Sequence, residues 1–151
     1  MLTLMDWFCG AGGSSQGAHA VPGVEVKLAA NHWQLALDTH ASNFPDVVHK
    51  QGKIQESPVH DWPVAHIHWA SPECTRWTVA NGKKRTFHRS RQAELIPREK
   101  TAEEVTAEES RALMEQVPTY LEGVVARGRL VLAGIVENVI DEREWDGFDE
   151  W

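Results

Sequence analysis

The sequence predicts an α/β layered fold on a mostly parallel sheet, and three observations carry that expectation. Short apolar runs alternate with segments of helical spacing. The first run ends in a glycine-rich turn followed by two serines. The most apolar stretch, Leu130 to Val139, reads as a buried strand near the far end of the chain.

The elements follow in order. Leu2 to Phe8 is a first strand, Cys9-Gly10-Ala11-Gly12-Gly13 a tight turn, and Ser14-Ser15 a helix start with a serine cap. Pro22-Gly23 turns the chain into a second strand, Val24 to Ala30. His32 to Ser42 has helical spacing, with Trp33, Leu37 and His40, and stops at Asn43-Phe44-Pro45. Val47-Val48 is a short third strand, and Val64 to Ala70, after Pro58 and Pro63, is a fourth. Cys74 to Lys100 has few apolar residues and reads as a mobile loop. Glu103 to Arg127 is a helix with Leu113, Val117 and Leu121 on one face, which Pro118 is expected to kink or split. In such a sheet, ligands sit at the carboxyl ends of the strands, beside the first strand-to-helix turn. Gly10, Gly12 and Gly13 let backbone approach a ligand closely there, although a tight turn without a ligand reads equally well.

The 151 residues suffice for one core and not for two. No apolar run approaches the roughly 18 residues of a membrane helix. The start, MLTLMDWFCG, lacks the basic and apolar regions of a signal peptide. Cys9 and Cys74 lie far apart without a CxxC, which excludes a disulfide framework or zinc ribbon and favours a reducing, cytoplasmic setting. His66 and His68 fall on one face of the fourth strand with His60 nearby, but no acidic or cysteine ligand joins them at metal spacing, so no metal is expected.

Charge is segregated. The net −7 combines −4 over residues 1–75, +6 over residues 76–100 and −9 over residues 101–151. Arg76, Lys83, Lys84, Arg85, Arg89 and Arg91 form a local basic set able to contact phosphates inside an acidic chain, and Trp77 among them is placed to stack on a nucleotide. A solvated surface loop is the plainer reading of the same charges.

Four segments together resemble the DNA cytosine-5 methyltransferases. DWFCGAGG, Asp6 to Gly13, is similar to that family's D-L-F-x-G-x-G-G. Asn31 through Asn43-Phe44-Pro45 resembles its second motif. SPECTRWT, Ser71 to Thr78, aligns without a gap to G-P-P-C-Q-x-F-S and puts Cys74 on the nucleophilic cysteine. GIVENV, Gly134 to Val139, resembles the strand that ends in Glu-Asn-Val. The resemblance implies a Rossmann-like, class I S-adenosylmethionine-dependent methyltransferase fold, here incomplete. It also implies methyl transfer to C5 of a cytosine flipped out of DNA, in a restriction–modification or similar setting.

By the same resemblance, Cys74 adds as thiolate to C6, its pKa lowered by Arg76 and the basic loop. Glu137 holds the base at N3 and its amino edge and delivers a proton to N3, which calls for partial burial. Asn138 supports Glu137 or the strand end, within the substrate-binding set. Phe8, Gly10, Gly12, Asn31, Ile54 and Pro72 line the site of S-adenosylmethionine. Three positions depart from the family. Asn31 stands where a glutamate usually accepts from the ribose, and Lys53 where an aspartate accepts from adenine. Glu73, beside the nucleophile, replaces a proline, and we have no physical account of it.

The Gln-x-Arg-x-Arg motif, the target-recognition region and the final helix of the family have no counterpart in residues 1–151. The expectation is therefore an N-terminal catalytic part, weak or inactive alone, with a second chain supplying the missing motifs. A non-catalytic DNA-binding or subunit-interaction module, or an enzyme modifying pyrimidine C5 with another one-carbon group, are the alternatives.

Overall fold

The computed structural model describes residues 1–73 and 102–138. Five strands form one all-parallel sheet: β1 (Leu2–Trp7), β2 (Val24–Asn31), β3 (Val48–Gln51), β4 (Ile67–Ala70) and β5 (Ala133–Val136). Their order across the sheet is β3-β2-β1-β4-β5, so the first strand made is the central one and the order reverses at β1. Three α-helices accompany them: α1 (Gly13–His19), α2 (Gln34–Asn43) and α3 (Ala102–Ala126). The expected α/β parallel architecture is present.

Central placement explains the composition of β1. Leu4, Met5, Asp6 and Trp7 are all buried, because helices cover both faces. Side chains alternate between them. Met5 and Trp7 join Val117, Tyr120 and Val124 of α3 in one core, and Leu4 joins Val26, Leu37 and Phe44 in the other. Trp7 sits at the middle of an aromatic cluster, with its ring centroid 4.8 Å from Tyr120, 4.6 Å from His68 and 6.1 Å from Trp62.

Several expectations are corrected. The serines after the turn do not cap α1. Gly12 is its N-cap residue, in the left-handed conformation, and no side chain caps the helix. Pro118 neither splits nor ends α3, which runs on to Ala126. Packing outweighs the lost N–H: Val117, Tyr120 and Val124 are buried on the sheet on both sides of the proline. The buried face of α3 is Met114, Val117, Tyr120 and Val124, with Leu113 and Leu121 only at its margin.

The apolar run at the end is not a buried strand. β5 spans only Ala133–Val136 at the edge of the described sheet, and Leu130, Leu132 and Ile135 are exposed. Its apolar character reflects a face and an edge left uncovered among the described residues. The three histidines do not converge. His60 bonds Arg127, His66 bonds Thr3, and His68 is buried against Trp7 and Tyr120. His66 lies before β4, exposed, so it does not share a strand face with His68.

Candidate active site

The turn after β1 is shaped by backbone conformation. Phe8 (φ 60), Gly10 (φ 53) and Gly12 (φ 105) all have positive φ, and Phe8 is the only non-glycine residue to do so among those described. The Cys9 N–H donates to Ala30 O at 3.1 Å, tying the turn to β2. Space around the two glycines differs. A side chain on Gly10 would meet nothing within 4 Å, whereas one on Gly12 would lie 2.5 Å from Phe44 Cε2. Gly12 is thus required by the packing of the turn on α2, and Gly10 is the glycine that faces open space.

Beneath the turn lies a polar chain that sequence reasoning misses. Ser14 Oγ and Ser15 Oγ both donate to Asp6 Oδ2, at 2.5 and 2.6 Å. Ser15 Oγ is also 3.0 Å from His40 Nε2, and His40 Nδ1 is 2.8 Å from His49 Nε2. Burial, and then the neighbouring His49, lower the His40 pKa from 6.5 to about 4, so its ring is neutral. The directions follow. His49 Nε2–H donates to His40 Nδ1, His40 Nε2–H donates to Ser15 Oγ, and Ser15 donates to Asp6.

Burial raises the Asp6 carboxyl above its usual value against the pull of its serine donors, and its Oδ1 has no partner among the described residues. The chain fastens β1, α1, α2 and β3 to one another under the turn. Its one sequence signal is an aspartate inside an apolar strand, shortly before the glycine turn. The serine and histidine partners carry no such signal, because their spacing has no period. Nearby Cys9 is buried, and burial with the Asp6 charge pushes its thiol up to about 12, so it stays protonated and inert.

Two cavities meet at the carboxyl end of the sheet, the second of them running back along the sheet face from there to Val24 and Ile67. One, about 530 Å³, is lined by Phe8, Asn31, Lys53, Ile54, Ser71 and Leu113 among others. The other, about 730 Å³ and mostly apolar, includes Phe8, Gly10, Trp69, Ser71, Ile135 and Glu137. Phe8 and Ser71 belong to both, so the cavities meet where the chain leaves β1 and β4. Of the residues expected around a cofactor, Phe8, Asn31 and Ile54 come together in the first and Phe8 and Gly10 in the second. Gly12 points its missing side chain at α2, and Pro72 is buried behind the rim.

The rim itself is pinned. Ser71 N–H donates to Trp7 O at 3.1 Å, Glu137 N–H to Ala70 O at 3.0 Å, and Asn138 Nδ2 to Pro72 O at 3.4 Å. Ser71 and Pro72 are therefore fastened between the end of β1 and the residues that follow β5. Glu137 is exposed at the cavity mouth, not partly buried as expected, because the described residues place nothing over it. Cys74, Arg76, Trp77, Lys83, Lys84, Arg85, Arg89 and Arg91 lie outside the described residues.

The family model for C-5 cytosine-specific DNA methylases matches residues 2–119. The chain belongs to this family. A C-5 cytosine-specific DNA methylase uses S-adenosylmethionine as its methyl donor, and the first cavity fits that group in size and in position at the strand ends. Solved structures similar to this methylase chain include a proposed DNA modification methyltransferase encoded within a prophage of E. coli (31% identity, TM-score 0.45, covering 52% of this chain and 24% of that one). The Dnmt2 methyltransferase of S. pombe is another (18% identity, TM-score 0.43, 49% and 24%), as is a variant of DNMT2 from Spodoptera frugiperda (20%, 0.41, 52% and 24%). The match spans about a quarter of the length of each. No curated protein matches the chain.

Proposed function

We propose that this chain carries the catalytic half of a DNA cytosine-5 methyltransferase, with Cys74 as nucleophile, Glu137 as proton donor and DNA as substrate. The observation that carries the reading is the rim. Ser71 and Pro72, just ahead of Cys74, are anchored to Trp7 at the end of β1 and to Asn138 after β5, and Ser71 lines both cavities, with Glu137 in the wall of the larger one.

Cytosine C5 is too weak a nucleophile to take a methyl group unaided. Cys74 Sγ bonds to C6 while Glu137 passes its proton to N3, and the electron pair released makes C5 enamine-like. S-adenosylmethionine supplies the methyl group when bound. Loss of the C5 proton to a base, cleavage of the Sγ–C6 bond and return of the N3 proton to Glu137 then restore the aromatic ring, the thiolate and the acid. Phe8, Asn31 and Ile54 bind the nucleoside end of the donor, and a flipped base seated over Glu137 supplies the burial that the described residues lack. The basic set from Arg76 to Arg91 contacts phosphates, and a cytoplasmic setting suits the free Cys9 thiol.

A second polypeptide supplying the remaining motifs belongs to the same proposal. The exposed Leu130, Leu132 and Ile135 at the β5 edge, beside the larger apolar cavity, support it.

Covalent trapping tests the chemistry. With S-adenosylmethionine, DNA carrying 5-fluorocytosine is expected to form a denaturation-resistant adduct with the wild-type chain in its full-length or complemented form, and none with the Cys74→Ser form of the same assembly. Equal trapping by the two proteins would overturn the assignment.

A further inference from the structure

Asn31 gives the end of β2 an unusual polarity. Asn31 is the last residue of β2, nearly buried, and lines the 530 Å³ cavity. Its side chain is oriented by its own turn, since the Trp33 N–H donates to Asn31 Oδ1 at 2.9 Å. A backbone N–H can only donate, so the carbonyl oxygen of the amide faces it. The backbone carbonyl of Asn31 is engaged as well, accepting from Gly52 N–H at 3.1 Å. One lone pair of Oδ1 is thereby taken, and the group left to turn to the cavity is the Nδ2 amine, a pure donor. The cation that follows at the end of β3 does not reverse this, because Lys53 also only donates, and it is paired with Glu56 at 3.6 Å.

Nucleoside sites at this position of an α/β sheet commonly use a carboxylate, which accepts from the ribose hydroxyls. Here a neutral amide, whose oxygen already accepts from the Trp33 N–H, stands in place of that carboxylate. We infer that Asn31 donates from Nδ2 to a ribose hydroxyl oxygen, so this residue reads the ribose as an acceptor. The inference rests on the cofactor reading above. Its consequence is selectivity: capping the ribose oxygens, which removes their hydrogens and keeps their lone pairs, matters less here than in a site with a carboxylate.

Asn31→Asp inverts the polarity while leaving an oxygen for the Trp33 N–H. Calorimetry of the two proteins with S-adenosylhomocysteine and with its 2′,3′-di-O-methyl ether forms a double cycle, in which the bulk of the methyl groups cancels. The diol is expected to bind Asn31→Asp about tenfold more tightly than wild type, as a charge-assisted bond replaces a neutral one. The ether is expected to lose about tenfold more affinity in Asn31→Asp than in wild type. Thermal unfolding midpoints of the two proteins check that both are folded. Equal sensitivity to the ether in both folded proteins overturns the inference and leaves the cofactor reading standing. No binding of either ligand by either protein overturns both.

Discussion

Gly12 shows how a single hydrogen atom can set the geometry of a site. Its φ of 105 and the 2.5 Å separation between Phe44 Cε2 and the point where a Cβ would stand leave no room for any other residue. Gly12→Ala is expected to cost about 3 kcal/mol in chemical denaturation, from backbone strain and overpacking together. Gly13→Ala, where a side chain meets nothing within 4 Å, is the control and should remain close to wild type. Equal stabilities for the two variants would contradict the close approach.

Acid sensitivity also belongs to individual residues. Burial lowers both His40 and His68 from 6.5 to about 4, and neither ring nitrogen of His68 has a partner among the described residues. Between those two values the unfolded chain takes up protons that the folded chain refuses. Stability is therefore complete above about pH 6.5 and falls as pH drops toward 4, by roughly 3 kcal/mol per histidine. Asp6 runs the other way: its folded carboxyl is raised above 3.8, so the folded form gains relative stability as pH falls through that range and partly offsets the loss. His68→Phe should flatten the acid limb and raise stability at neutral pH by about 1 kcal/mol, because two unsatisfied polar atoms leave the core. A denaturation series from pH 4 to 8 reads both effects, and an unchanged slope in the variant would refute the assignment.

Among the elements, α3 is the instructive case. Its proline predicts a break, yet the buried face runs through Val117, Tyr120 and Val124 without interruption. Pro118→Ala should restore the missing backbone bond and stabilise the protein by about 1–3 kcal/mol. A neutral or destabilising result would mean that the ring itself packs to advantage.

Strands β1 and β2 are legible within a residue or two because short apolar runs bounded by glycine and proline leave little freedom. β5 is legible as a strand and not as an exposed one, since an apolar sequence says that a face wants cover and not that the cover is present. In the site, the glycine turn can be read from local pattern, and Asn31 only through the family resemblance. The Asp6–Ser15–His40–His49 chain cannot, because it joins four elements whose partners share no sequence period. The position of Glu137 at the strand end is legible too, but its exposure depends on what lies over the cavity mouth.

At the scale of the whole molecule, four of the exposed large apolar side chains fall close together in the chain. Val125, Leu130, Leu132 and Ile135 are all exposed around the end of α3 and the β5 edge. Such a patch beside a strand edge favours association. Leu132→Glu with Ile135→Lys is expected to lower concentration-dependent self-association in sedimentation, with the far-ultraviolet circular dichroism unchanged. Identical sedimentation of variant and wild type at all concentrations would remove the patch from consideration as an interface.

The central position of β1 also governs the order in which the protein is assembled. Its partner β2 follows after one short helix, but β4, its neighbour on the other side, pairs Leu4 with Ile67 across a gap of more than sixty residues. During synthesis the β1–α1–β2–α2–β3 portion can close early, while β1 waits as a temporary border with Met5 and Trp7 uncovered until β4 and α3 emerge. The slow step of folding is then the arrival of the second half on a finished first half, and the interval before it is when a nascent chain most needs a chaperone.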